Sequence, residues 1–408
     1  MSRPLILFFI LFASVASADE ARDRTLHAIF APGDAEPPKF EILTEDADRM
    51  IVVNPLIRVR EGICYIGRVR RTSKEPAVKV FRNNHGSMIP VQYVSDPDDE
   101  NMFSMYADFS YADTKVSVPG LGAILLEYDA EATVKQKFET TLSVDVKTGV
   151  MKNDPIRLTV DLKTGAVTSL KMIGIDHDLV QSDKELYWWS STGGWSFGNP
   201  TTRLTVVAEG PLVASVLVES GGKKMQITIF NDSERIRFQE SDARPQSPVQ
   251  RFFHFNVPDY VVWNNKKWFE YAVFANDECG VNIVGLDAEC WIWPYTATFN
   301  GGIALRFASQ VLQSPVCLKP NEIVGPKPGL LTIGEDRFLS AVNIRPTKDR
   351  SGSVMVDIIN PTDETITTKV KPMPPFNRAK LFDSKDGPLV DADRFDIEPS
   401  ETVTLRLE

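Results

Sequence analysis

Apolar residues in this chain return every second position through most of its length. The run Ile156-Arg157-Leu158-Thr159-Val160-Asp161-Leu162 shows the pattern: Ile156, Leu158, Val160 and Leu162 alternate with polar neighbours. A period of two puts one set of side chains on one face of a strand, whereas a helix needs a return every three or four positions. Lys163-Thr164-Gly165 then supplies a tight turn, because glycine tolerates the positive φ of hairpins. Ala166–Leu170 returns as the partner strand. Between 131 and 335 no run of ten or more residues carries a 3.6-residue period, and turn signals recur at short intervals. The pattern predicts an all-β chain built as a large antiparallel sandwich.

The segments follow in order. Residues 1–18 read as a signal peptide: Arg3 is the positive n-region, Leu5–Phe12 the apolar h-region, and Ala16-Ser17-Ala18 a small-residue cleavage site. Cleavage is expected after Ala18. The apolar run is too short to span a bilayer, and no later segment is long and apolar enough to anchor the chain. The expected destination is export, whether secreted, periplasmic, extracellular or lysosomal. Residues 19–39, with Pro32, Gly33, Pro37 and Pro38, read as a linker. Residues 40–130 form a small β domain with strands at Met50–Val53, Ile63–Val69, Ala77–Phe81, Met88–Val94 and Ala123–Tyr128. Residues 131–335 are the main sandwich, with strands expected at Arg203–Ala208, Leu212–Val218, Lys224–Ile229, Arg235–Gln239, Arg251–Val257, Trp268–Phe274, Asn282–Asp287 and Ile303–Phe307. Val324–Leu330 reads as a linker into a C-terminal β-sandwich segment, 336–408.

Charge and cysteines exclude several classes. A net charge of −10 argues against nucleic acid and anionic membrane as partners, since both are held by clustered Lys and Arg. Arg68-Val69-Arg70-Arg71 is the main basic run in the sequence and reads as a solvated strand end. Export permits disulfides. Cys64, Cys279, Cys290 and Cys317 allow three pairings, and the short strand–turn–strand segment between Cys279 and Cys290 favours that pair. No C-x-x-C spacing suggests zinc, so no metal site is expected. Asn231-Asp232-Ser233 is a glycosylation sequon. The acidic turn Asp96–Glu100 lacks the alternation of a calcium loop.

A family resemblance runs along much of the chain. "NDPIRLTVDLKTGAVTSL", then "YWWSSTGGWSFGNP" and "VVAEGPLVASVLVES", resemble the β-sandwich half of glycoside hydrolase family 38, the α-mannosidases. "IVVNPLIRVR", "IPVQYVSD" and "VPGLGAILLEY" resemble the family segment before the sandwich. "SGSVMVDIINPTDETITTKV" and "IEPSETVTLRLE" resemble its C-terminal end, so nearly all of 40–408 is covered. The resemblance implies a galactose-mutarotase-like supersandwich flanked by small β-sandwich domains. It also implies that the catalytic barrel, which bears the family's nucleophile, acid and zinc ligands, is missing; no catalytic residue and no cofactor is carried over. Gly193-Gly194-Trp195-Ser196-Phe197 stands where the family has a Tyr-containing run that reaches the sugar, so the resemblance places Trp195 near a glycan.

Aromatic clusters point the same way. Sugar C–H faces stack on Trp and Tyr, and their hydroxyls seek polar partners. Tyr187, Trp188, Trp189 and Trp195 form one candidate cluster; Trp291, Trp293 and Tyr295 form another. The competing reading is core aromatics between packed sheets. Asp176-His177-Asp178 looks like a metal triplet but falls in a loop, and His254, amid Phe252, Phe253 and Phe255, reads as a structural histidine. No P-loop, dinucleotide fingerprint or G-x-S-x-G elbow is present. The leading expectation is an exported carbohydrate-binding or accessory protein, its partner a mannose-containing glycan. The alternatives are a subunit that completes a separate α-mannosidase catalytic chain, and a mutarotase-type sugar epimerase.

Overall fold

Alternation becomes antiparallel strands almost throughout, arranged as three β lobes. The computed structural model describes residues 15–408 except for 32–40, 74–77, 111–117, 181–188, 191–192, 195–201, 221–222, 242–254, 259–260, 266–270, 287–288, 299–300, 321–324, 335–338, 383–389 and the single positions 42, 59, 98, 328, 350 and 363. The first lobe is a seven-stranded sheet in the order Ile63–Arg70, Met102–Asp108, Met88–Ser95, Val78–Asn83, Gly122–Tyr128, Arg49–Asn54, Val316–Leu318. A bulge between Tyr65 and Gly67 bends the first of these strands, and Gly67 sits at φ +121°. The sheet curls until its two edge strands touch, with Gly67 beside the backbone of Cys317. Met50, Val52, Ile66, Phe81, Val91, Phe103 and Met105 fill the space inside.

The middle lobe is a sandwich. Its larger sheet has eight strands in the order Arg203–Glu209, Val213–Ser220, Lys223–Phe230, Ile236–Ser241, Glu289–Tyr295, Gly280–Leu286, Tyr271–Ala275, Val261–Asn265. Its smaller sheet has four: Ser143–Asp145, Val150–Lys152, Ile156–Val160 and Val167–Met172. Met151, Leu158 and Leu170 from one sheet meet Val216, Ile227, Ile229 and Ile292 from the other. The hairpin read at Ile156 is present, with Gly165 at φ +76°. The third lobe packs a five-stranded sheet against a three-stranded one around Ile344, Val356, Ile358, Val370, Ile397 and Leu405. The expected all-β sandwich fold is the fold observed.

Four expectations are corrected. The linker at 19–39 instead holds most of a helix, α1 (Val15–Phe30). Its Leu26, Ala28, Ile29 and Phe30 are buried among Ile51, Val53 and Leu121 of the first lobe and Leu339, Ala341 and Ile344 of the third. After the short helix α2 (Ala130–Lys135), capped by Asp129, comes α3 (Gly301–Leu312), where a strand was expected at Ile303–Phe307. Ala304, Phe307, Ala308 and Val311 are its buried apolar side chains, a spacing that is helical on inspection. The sequence boundary at 335 also fails. Val316–Leu318 closes the first sheet, Lys327 pairs with Ala123, and Leu331–Ile333 pairs with Ile366–Pro372 of the third lobe.

The fourth correction concerns the cysteines. All four thiols are free. Register sets Cys290 opposite Gly285, while Cys279 stands just before Gly280 at the far end of that hairpin. At the rise of a strand the two are about 20 Å apart, well beyond the roughly 7 Å limit between Cα atoms of a disulfide.

Candidate functional site

One concentration of buried charge lies where the first lobe meets the eight-stranded sheet. On that sheet, register sets Thr228, Arg237 and Trp291 side by side across three strands, with Gln226, Gln239 and Glu289 in the next row. This face is turned away from the four-stranded sheet, whose core takes the alternate residues Ile227, Ile236 and Phe238. Tyr65 and Tyr106 of the first lobe close over it. The guanidinium of Arg237, 1% exposed, grips Glu289 through both oxygens; Nε to Oε2 is 3.1 Å. Its third contact is Nη1 to the Tyr106 hydroxyl at 2.6 Å. Trp291 Nε1 donates to Glu289 Oε2 at 3.1 Å. The guanidinium carbon lies 4.5 Å from the Tyr65 ring centre, and Trp291 stacks on Phe230 at 5.4 Å.

The electrostatics follow from this packing. Burial pushes the carboxyl of Glu289 up. The Arg237 charge, its hydrogen bonds and that of Trp291 pull it down further, so the net pKa lies below the usual carboxylate value. Arg237 is held charged by the same pairing against its own burial. Burial pushes the Tyr65 phenol up to about 12, so it stays protonated near neutrality. Arg68, paired to Asp96 at 2.7 Å, adds a further positive field toward Glu289. Glu289 is therefore an ionised acceptor, with 21% of its side chain exposed. It can receive hydrogen bonds from hydroxyl groups and is badly suited to donate a proton at neutral pH.

The sign of its pH dependence is fixed. A carboxylate with a depressed folded-state pKa contributes stability above its unfolded pKa and loses that contribution as pH falls through the folded value. The melting-temperature gap between wild type and Glu289→Gln should be widest near neutrality and shrink below about pH 4, where the unfolded carboxyl takes up a proton while the folded one still holds its charge. A gap that does not change over this acid range would refute the depressed value.

Only some of the site residues expected from sequence fall among the described residues. Tyr187, Trp188, Trp195 and His254 lie outside the described residues. Trp293 packs on Tyr295 and on Phe307 of α3, each at 5.4 Å between ring centres. Tyr295 is buried, and its ring fills the space a side chain at Gly280 would need. Both rings lie against α3, Trp293 through Phe307 and Tyr295 through Ala304. In the Asp176–Asp178 triplet, Asp178 accepts bonds from Ser169 and the amides of Leu170 and Val180, fixing the loop. Among the described residues no group of three or more His, Cys, Asp and Glu could hold a metal ion. Asn231 sits in a turn, where its Oδ1 receives the amide and hydroxyl of Thr141 and the hydroxyl of Thr140.

Arg237, Glu289, Tyr65 and Tyr106 were missed by sequence reasoning. The available signal was charge within strand segments: Arg237 and Glu240 in "IRFQES", and Glu289 at the head of "ECWIWPY". Nothing local links an arginine to a glutamate 52 positions away. Buried Nδ2 and Oδ1 of Asn282, and Oε1 of Gln226, also find no hydrogen-bond partner among the described residues.

Comparison with known proteins gives a fold and no family. No family model matches the chain. No curated protein matches it. Among solved structures, an α-mannosidase from Enterococcus faecalis V583 superposes with a TM-score of 0.56 at 11% identity. The match covers 90% of this chain and 56% of that one, so this chain spans little more than half that enzyme's length. At such identity the likeness establishes shared β architecture, a distant structural relationship.

Proposed function

We propose that this protein is an exported β-sandwich protein of the α-mannosidase kind that binds glycan without cleaving it. The observation that carries this reading is Glu289. It stands at a lobe junction flanked by Trp291 and Tyr65, and it is locked as an ion by Arg237. A glycosidase needs a carboxyl that can hold a proton and a second one across the bond. A locked carboxylate that keeps 21% of its side chain exposed can accept hydrogen bonds from hydroxyls instead. The distant likeness to an α-mannosidase makes mannose-containing glycan the first ligand class to try. Export fits the leader at 1–18, since cleavage after Ala18 leaves every described buried residue of α1 in place.

The test is glycan-array binding by the purified chain, with a nitrophenyl α-mannoside assay on the same sample. Binding without turnover is expected. Turnover by the purified chain, whether or not Glu289→Gln abolishes it, defeats the reading. A second reading, a subunit that completes a separate catalytic chain, is favoured by one observation: the first lobe is bound to the sandwich through Arg235 to the Ile63 carbonyl at 2.9 Å and through the Arg237–Tyr106 contact. Such a body could seat a partner as a unit, and a pull-down from the source organism would recover a glycosidase chain.

A further inference from the structure

The outer face of the four-stranded sheet carries a row of cations. Register sets Lys152 directly opposite Arg157, and Arg157 directly opposite Lys171. All three are exposed, while the alternate residues Met151, Leu158 and Leu170 point into the sandwich core. Like charges directly opposite each other on neighbouring strands destabilise a sheet. The chain as a whole is acidic at −10, so the row opposes both its local geometry and the overall balance. None of the ion pairs among the described residues involves Lys152, Arg157 or Lys171. Of the carboxylates close in sequence, Asp178 is engaged by Ser169, Leu170 and Val180, Asp161 by the amides of Lys163 and Thr164, and Asp145 by Lys147 and Thr148, while Asp154 and Asp176 stand exposed in loops.

We propose that this face docks a polyanionic glycan, one bearing sulfate or uronate groups. Neighbouring strands lie about 4.8 Å apart, so the row offers a cation at each step across roughly 10 Å. A sugar ring in an extended chain advances by a similar step, which brings successive acidic units over Lys152, Arg157 and Lys171. Arg157, in the middle, presents a planar fork that grips a carboxylate or sulfate through two hydrogen bonds. The same face continues on one side to the hydroxyl of Thr159, and Ser143 lies opposite Lys152. On the other side, Ile173, 71% exposed and bonded through its amide to the Pro155 carbonyl, adds an apolar shelf for a ring face. The charge row carries the choice of a polyanion; the choice of a sugar over other polyanions rests on the carbohydrate reading above.

The experiment uses the full mature chain. Binding of a sulfated heparin-type oligosaccharide and of oligogalacturonate is measured at low and raised salt, with neutral mannan and a single-stranded oligonucleotide of matched charge beside them. Affinity for the acidic sugars should fall with salt. It should drop about tenfold in Arg157→Gln and become undetectable in the triple variant Lys152→Gln/Arg157→Gln/Lys171→Gln. Arg157→Gln should also raise the melting temperature, because it relieves two like-charge contacts. That opposite movement of binding and stability separates a ligand row from a structural one. Unchanged affinity in the triple variant overturns the proposal, as does tighter binding of the oligonucleotide than of either sugar. A lowered melting temperature in Arg157→Gln overturns it as well. Failure of neutral mannan to bind wild type would count against the function proposed above and leave the acidic-sugar result to stand alone.

Discussion

Arg237→Met should destabilise the protein by about 3 kcal/mol, read as a lowered urea midpoint at neutral pH. Removing one partner of a buried ion pair strands the other charge, at a typical cost of about 3–5 kcal/mol. Glu289 keeps 21% of its side chain in contact with solvent, which pulls the expectation to the low end. Three further contacts of the guanidinium vanish with it: the Tyr106 hydroxyl, the Tyr65 ring and the Trp291 ring. Glu289→Gln alone should cost less, because the amide retains an acceptor for Arg237 or Trp291. The double variant Arg237→Met/Glu289→Gln should be more stable than Arg237→Met by about 1–2 kcal/mol, since no uncompensated charge remains. If Arg237→Met unfolds within about 1 kcal/mol of wild type, the junction is not held by this pair.

The second large effect belongs to α1. Leu26→Ala/Ile29→Ala should cost about 5 kcal/mol, near the sum of two large-to-small substitutions at fully enclosed positions. Both side chains are 3% exposed and sit in the apolar cluster shared by the first and third lobes. The loss should be local before it is global. Hydrogen exchange should quicken first in Ser340–Pro346, the strand against which α1 lies, and later in the middle lobe. If 19–39 behaved as the tether that its prolines suggest, neither stability nor exchange would respond.

Much of the fold was legible because it rests on a local rule. Period-two alternation needs only neighbouring residues, and it locates Ile156–Val160, Lys223–Phe230 and Val354–Ile359 without knowledge of their partners. What the sequence hid is non-local. The strand Glu289–Tyr295 reads as an aromatic cluster because both of its faces are filled: Cys290 and Ile292 by the sandwich core, Trp291 by Phe230 and the first lobe. The helix α1 begins inside what reads as a leader, so its apolar residues were assigned to two segments and its period was lost. The overlooked α3 is a different case, since Ala304, Phe307, Ala308 and Val311 do keep helical spacing; the strand-rich context outweighed it. At the candidate site, strand membership placed Arg237 but not its partner. Buried charge becomes visible only when two distant strands are set side by side.

The first lobe cannot be finished from its own stretch of chain. Its last strand, Val316–Leu318, pairs with Ile51–Val53 and arrives only after the whole middle lobe has been made. During synthesis the strand Arg49–Asn54 therefore waits with one edge unpaired, and an unpaired edge is a template for joining another chain. Contacts of such long range also slow folding. Any fragment ending before residue 316 carries that open edge permanently, so truncated forms of the first lobe should aggregate when the full chain does not. The order in which the ribosome delivers the strands is thus a constraint on how this protein can be cut, swapped or expressed in parts.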